Sequence, residues 1–364
     1  MVLAYHLELP YSPRGGTVGV TTFFVLSGFL ITMLLLREAD SHGRIGLGSF
    51  YARRALRLLP ALAVLVAVVT AYAVLTDRAD DTLRAAPAVA FYGGNWTRAF
   101  EGFGTLGLFE HTWSLSVEEQ FYLAWPLIVL LSAIVAGARH RAAAVLGVSL
   151  AGCAASLAWR LALWDGADPA GSAARLYNGT DTAADQLLVG CALAAGLWLA
   201  RHRVVPAAGR ALLGVGAALG LGFLVWIAAW RPGGTTVDNT RLYLTWGASA
   251  FALAAAVVVA GIVVAPGGWL PRALGTRPLM AVGRVSYGLY LWHYPVIVVV
   301  QDRLGDAGSP VQWLVATVIS AVATVTSWLL VEKPCLRHKD RFRPTDGPAR
   351  ESTRRPPEPV GAAR

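Results

Sequence analysis

Apolar runs of about twenty residues, separated by short polar or basic breaks, recur along the whole chain. They fall at residues 17–36, 61–76, 113–136, 142–163, 180–200, 207–230, 242–264, 285–300 and 312–331. Runs of that length cross a bilayer as helices, and the strict apolar–polar alternation of a membrane barrel is absent. The pattern predicts an all-α, polytopic transmembrane bundle of about ten helices, the first only a stub, because residues 1–9 are too few to span. Residues 77–110 form an outer segment whose one apolar piece, 85–92, is short and reads as re-entrant or interfacial. Residues 1–335 make up the membrane domain, and 336–364 a disordered, Pro- and Arg-rich tail.

The formal net charge is +9 and the mean hydropathy +0.53. Excess basic charge could signal nucleic acid, but the basic residues sit in the breaks: Arg37, Arg44, Arg53, Arg54 and Arg57; 139–141; 201–203; Arg272, Arg277 and Arg284; and the tail. That is the positive-inside pattern, so these breaks and the C-terminus are assigned to the cytoplasm and no nucleic-acid partner is needed. Cys153 and Cys191 fall inside apolar runs and Cys335 on the tail, which indicates neither a disulfide framework nor a metal site.

The stretch 111–126 (HTWSLSVEEQFYLAWP) concentrates the chemistry. On a helix it places Ser114, Glu118, Tyr122 and Trp125 on one face. Ser116 and Glu119 fit a capping box, so Glu119 reads as a helix-start residue. Glu118 has no such role, and a carboxylate entering a membrane normally faces a bundle interior. Asp181 and Asp185 lie on one face at a helix head; they either complement the helix dipole or hydrogen-bond an acceptor's hydroxyls. Arg53 and Arg57 share a face and serve either topology or anion binding. His6, His111 and His293 are candidate bases, since imidazole titrates near operating pH. His293 is flanked by Trp292 and Tyr294, an aromatic setting that also suits packing.

Taken in order, these pieces resemble the membrane acyltransferase-3 family, polytopic enzymes that O-acylate sugars and natural products. The matching stretches are Tyr5-His6, 19–32 (GVTTFFVLSGFLIT), 50–60 (FYARRALRLLP), 111–126, 179–185 (GTDTAAD), 285–295 (VSYGLYLWHYP) and 331–334 (VEKP). The resemblance covers essentially residues 4–340. It implies an acyl group, most simply acetyl, passed from cytoplasmic acyl-CoA to a hydroxyl of a glycan or glycosylated small molecule. Acyl-CoA would be a substrate, with no permanently bound cofactor and no metal; the remaining partner is membrane lipid. His6 matches the family's active-site histidine, and Glu118 would orient it by the logic of a base and its orienter. Arg53, Arg54 and Arg57, with Tyr51, would hold the donor phosphates. Ser27, Ser114, Asp181, Asp185, Tyr290 and His293 would line the acceptor site or channel. The form resembled is the stand-alone one, without an appended esterase-like domain. A proton-coupled exporter built on Glu118, Asp181 and Asp185 is the rival reading, and an inactive truncated homologue a third.

The family's first helix carries an Arg about three turns before the active-site His. Here that position falls before Met1. The expectation is an in-frame upstream extension of about ten to thirty apolar residues, enough to complete a spanning helix, with an Arg at that spacing. Sequencing the genomic DNA checks it: an in-frame stop codon directly upstream would refute it.

Overall fold

A computed structural model describes residues 2–7, 15–76, 79–229, 241–305 and 309–342. The described residues are helical, without strands. In chain order they form α1 (Val2–His6), α2 (Gly15–His42), α3 (Leu47–Leu75), α4 (Ala79–Ala90) and α5 (Gly94–Glu101). A 3₁₀ turn (Gly107–Thr112) leads into α6 (Trp113–Leu163), followed by α7 (Pro169–Asn178), α8 (Thr180–Leu199) and α9 (Ala207–Ala229). A π turn (Tyr243–Gly247) opens α10 (Ala248–Val264); then come α11 (Trp269–Leu274), α12 (Arg277–Leu304) and α13 (Pro310–Ser327). A second π turn (Trp328–Glu332), α14 (Lys333–Leu336) and a 3₁₀ turn (Lys339–Phe342) complete the described chain.

Seven stretches are long and apolar enough to cross a membrane. One of them, Gly107–Leu163, has 57 residues, far more than the roughly 20 that one crossing needs. It folds back at Gly137, whose φ of 73° and ψ of 166° break the helix beside Arg139 and Arg141. A left-handed backbone of this kind suits only glycine. The expected division into two crossings is therefore present. With α12, which is 28 residues long but more polar, and the α1 stub, the bundle fits the expected architecture.

Several expected loops are helical instead. Residues 37–60 are not a loop: α2 runs to His42, α3 starts at Leu47, and Arg53, Arg54 and Arg57 lie within α3. Their charges are tolerated in the helix because partners on α2 and α6 meet two of them, as detailed below. Pro60 sits inside α3, where a proline removes one backbone bond without ending the helix. Most of 164–179 forms α7, capped by Asp168, whose Oδ1 accepts from Gly171 N at 2.9 Å. Residues 266–284 hold α11 and the first two turns of α12. Arg337–Phe342 continue as turns after α14, and residues 343–364 lie outside the described set.

The expected capping box is not formed. The N-cap position of α6 is Thr112, which makes no side-chain cap bond, and Ser116 donates to the Thr112 carbonyl at 3.3 Å. Glu119 instead pairs with Arg54 Nη2 at 3.4 Å. Sequence spacing alone fits the box; a helix start four residues earlier removes it.

Within residues 79–110, α4 and α5 pack as a helical hairpin, with Ala85 and Val89 buried. Tyr92 is at its tip. Gln120 Nε2 on α6 donates to the Tyr92 carbonyl at 2.7 Å and to Asn95 Oδ1 at 2.9 Å. Asn95 Nδ2 donates to the Asn178 carbonyl at 3.1 Å and to Thr180 Oγ1 at 2.9 Å. The tip is thus tied to both α6 and α8.

Helices in lipid associate by close packing rather than by hydrophobic burial. Here α2 meets α8 through glycines. A β-carbon at Gly28 would overlap the Leu187 carbonyl, and one at Gly190 the Val25 carbonyl. Gly196, on the same α8, has nothing within 4 Å of its would-be β-carbon. Gly190→Ala is expected to lower stability by about 1–3 kcal/mol through overpacking. Gly196→Ala should be neutral or stabilising by about 0.5–1 kcal/mol. Thermal unfolding of the purified variants in detergent checks both.

Candidate active site

At the end of the bundle away from Arg139 and Arg201, a cavity of about 570 Å³ opens between α1, α2, α5, α6 and α12. His6, His111, Arg98, Glu110, Tyr290 and Tyr294 are among its lining residues. His6 Nδ1 and His293 Nε2 lie 3.0 Å apart. His293 Nδ1 is 2.6 Å from the Tyr290 carbonyl. A carbonyl only accepts, so His293 Nδ1 carries a proton and neutral His293 offers Nε2 as an acceptor. His6 Nδ1–H then donates to it, and His6 Nε2 is left with a lone pair and no hydrogen bond among the described residues. His111 is held in a parallel way, its Nε2 donating to the Leu291 carbonyl at 3.0 Å. The carbonyls of one stretch of α12 therefore fix the tautomers of two histidines.

The structure does not bring Glu118 to His6. Glu118 is 3% exposed and accepts from the hydroxyls of Ser27 and Tyr122, the latter at 2.6 Å. The expected face of α6 does point inward: Ser114 donates to the Tyr290 hydroxyl at 2.5 Å, and Trp125 Nε1 donates to Thr32 Oγ1 at 2.8 Å. The Tyr290 hydroxyl in turn donates to the His111 carbonyl at 2.7 Å. Ser114 and Tyr290 thus join the Glu118 helix to the histidine cluster. His293, not Glu118, is the group that orients His6 in this structure.

The arginines of α3 have separate partners. Arg53 Nη2 is 3.2 Å from Glu38 Oε2, and its Nη1 donates to the Phe342 carbonyl at 2.6 Å. Glu38 also accepts from Gly46 N at 2.7 Å, so Arg53 locks the α2–α3 link and the C-terminal turn together. Arg54 lies over the Tyr122 ring at 3.4 Å, a cation–π contact, besides pairing with Glu119. Arg57 is exposed, without a hydrogen bond or ion pair among the described residues, and acts electrostatically on Glu118, Glu119 and Glu332. Tyr51 donates to the Leu123 carbonyl at 2.7 Å. Of the expected donor-binding residues, Arg57 alone presents an uncommitted guanidinium.

A family model for an acyltransferase domain, the acyltransferase-3 type, matches residues 1–332. The chain belongs to this acyltransferase family. Among similar proteins, the YrhL protein of Bacillus subtilis is 33% identical over 347 residues, covering 92% of this chain and 52% of YrhL. The peptidoglycan O-acetyltransferase OatA of Listeria monocytogenes is 32% identical over 351 residues, covering 92% and 53%. The O-acetyltransferase OatA of Staphylococcus aureus is 30% identical over 349 residues, covering 92% and 54%. The chain spans about half the length of these relatives. No solved structure matches it.

Within this acyltransferase domain, Asp181 and Asp185 are engaged in ion pairs rather than left for hydroxyls. Asp185 accepts from Arg160 Nη1 and Nη2, each at 2.9 Å, with both side chains 2% exposed. Arg160 also donates to the carbonyls of Thr182 and Thr245, each at 2.8 Å, so the pair ties α6, α8 and the first π turn. Asp181 binds Arg175 and Trp159 near the surface. Their i, i+4 spacing was readable; the arginines that meet them come from elsewhere in the chain and were not.

Sequence reasoning missed Arg98 and Glu110. Arg98 Nε is 2.8 Å from Glu110 Oε1, and the guanidinium lies 4.9 Å from the Phe103 ring centre. Glu110 also accepts from Gly104 N at 2.7 Å and Leu106 N at 3.2 Å, which closes the 102–107 loop over the cavity. Glu332 of the VEKP stretch was noted only as a motif. It is buried, accepts from Ser327 Oγ at 3.3 Å, and sits where a β-carbon on Gly288 would lie 2.7 Å from its Oε1.

The ion pairs give a stability prediction. Asp185→Ala leaves Arg160 buried and unpaired and should cost about 3–5 kcal/mol. Asp181→Ala, at a half-exposed pair, should cost about 0.2–1 kcal/mol. Unfolding midpoints in detergent check the contrast; equal effects would return Asp185 to the list of acceptor ligands.

Proposed function

We propose that the chain is an integral-membrane O-acetyltransferase that takes an acetyl group from cytoplasmic acetyl-CoA and passes it to a glycan hydroxyl on the opposite side. The observation that carries this reading is His6 Nε2, a free lone pair on an imidazole held by His293 at the wall of the cavity. His6 Nε2 removes the proton of the acceptor hydroxyl as its oxygen attacks the thioester carbonyl carbon. The C–S bond breaks, CoA leaves as thiolate, and the proton on His6 passes to the sulfur. His293 shares the positive charge that forms on His6 meanwhile. Peptidoglycan, named for the Listeria relative, suggests the acceptor class. Phe103, Trp113 and Tyr177 supply aromatic faces suited to sugar rings in the same cavity.

The donor side is supported by Arg57, about 15 Å along α3 from its Leu47 start. Tyr287 donates to the carbonyl of the next residue, Leu58, at 3.0 Å, which sets the level of Arg57 against α12. His293 lies six residues further along α12, about 9 Å of helix. A pantetheine arm held by its phosphates at Arg57 spans that distance. The basic breaks support a cytoplasmic position for Arg57 and for the C-terminus.

An exporter has no need of a base with a free lone pair at the cavity wall. Acetyl transfer by purified protein in detergent, without a gradient, distinguishes the two. His6→Ala should abolish transfer while leaving donor binding near wild type, since it removes a group used only in the chemical step. Arg57→Ala should weaken acetyl-CoA binding more than Arg53→Ala, in a salt-dependent way. Turnover surviving in His6→Ala, or Arg57→Ala binding the donor as wild type does, would discard the respective assignment.

A further inference from the structure

Arg98, in the last turn of α5, lines the histidine cavity with a side chain only 7% exposed. Its Nε meets Glu110 Oε1 at 2.8 Å. Its Nη1 is 3.5 Å from the Glu110 carbonyl, a long contact, and its Nη2 makes no hydrogen bond among the described residues. A guanidinium carries N–H donors on all three nitrogens and no acceptor. Glu110 therefore balances the charge of Arg98 but occupies only its Nε. Closing the 102–107 loop does not need the other two nitrogens, since Glu110 itself holds Gly104 N and Leu106 N. Buried polar groups are nearly always satisfied, so donors left open at a cavity wall call for a partner.

The surroundings say what kind. The guanidinium carbon lies 4.9 Å from the Phe103 ring centre and 5.5 Å from that of Trp113. Trp113 packs on Tyr177 at 4.6 Å. All three rings line the cavity, and they are the faces suited to a sugar ring. A pyranose lying flat on an aromatic face points its equatorial substituents past the edge of that face. The proposed base borders the same space. The ring of His111, next to Glu110 in the sequence, stacks on Tyr294 at 5.3 Å, and Tyr294 meets His6 edge-on at 5.0 Å. The cavity of about 570 Å³ falls within the range of small-ligand sites, about 300–1,000 Å³.

We propose that Arg98 sets acceptor specificity: its outer N–H groups donate to the amide carbonyl of an N-acylated sugar while His6 meets the hydroxyl to be acetylated. An amide oxygen accepts and carries no net charge, so the Arg98–Glu110 pair stays balanced when the sugar binds. A carboxylate in that place would leave a net negative charge buried beside Glu110. A plain hydroxyl is a weaker acceptor, and an ammonium is repelled. This rests on the glycan-acceptor reading above. Arg98 is an acceptor-binding residue in this scheme, and neither the proton nor the acetyl group passes through it.

The test uses the full chain in detergent, acetyl-CoA, and three β-1,4-linked tetramers as acceptors. They are built of N-acetylglucosamine, glucose and glucosamine, and so differ only in bearing acetamide, hydroxyl or ammonium at one carbon. Wild type should rank them in that order by kcat/KM. Arg98→Gln should lower kcat/KM for the acetamido tetramer by about 10–100-fold, the worth of a hydrogen bond to a charged group. The glucose tetramer should lose much less, the glucosamine tetramer should gain relative to both, and the KM for acetyl-CoA should stay near wild type. Misfolded protein lowers all three rates alike and cancels from their ratios. Arg98→Lys, which keeps a charge beside Glu110, should retain part of the preference, and serves as the test if Arg98→Gln does not fold. An equal fall for all acceptors would make Arg98 a structural clamp and overturn the proposal, as would ratios unchanged from wild type. Wild-type protein that acetylates the acetamido and glucose tetramers equally would overturn it too and leave the glycan-acceptor reading standing. Wild-type protein that acetylates none of them would overturn that reading, and this proposal with it.

Discussion

Without a β-carbon at Gly28 or Gly190, the backbones of α2 and α8 meet in direct contact, and much of the bundle follows from that approach. In lipid there is little hydrophobic gain in bringing helices together, so surface fit decides which pairs form. The contact sets α2 deep in the bundle and so carries Ser27, the residue before Gly28, to Glu118 on α6. Thr32, one turn on, receives the Trp125 indole. A side chain at either glycine would move α2 outward and strand a buried carboxylate without its hydroxyl donors.

Buried polar groups are costly in this setting, and their partners come from different helices. The Arg160–Asp185 pair joins α6 to α8 and reaches the π turn at Tyr243–Gly247 through the Thr245 carbonyl. Arg53 joins the α2–α3 link to the chain end at Phe342. In each case, removing one member leaves a charge without compensation, so these pairs fix which helices are neighbours more than they add net stability.

Along α12, Tyr287, Tyr290 and His293 recur every three residues and face the polar interior in sequence. This helix is too polar to count as a spanning segment by composition, yet its polarity connects the level of the α3 arginines to the histidines. Carbonyls of α12 also set the tautomers, at Tyr290 for His293 and at Leu291 for His111. One helix thereby orients the proposed base.

The all-α membrane architecture was legible in the sequence because lipid leaves a chain few choices: apolar runs must be helices, and their length must match the bilayer. The inward face of Ser114, Glu118, Tyr122 and Trp125 was legible too, since helical spacing is local. Pairings across the chain were not. Nothing near His6 announces that His293, 287 positions away, will hold it. Nothing in the 180–185 stretch announces that Arg160 will take Asp185. Breaks rich in Arg and Pro read as loops, although helices with partners for those charges carry them well. Local spacing settles what an element is and which face it shows. Which side chain a buried charge or imidazole meets depends on how closely the helices pack, and only the tertiary structure decides that.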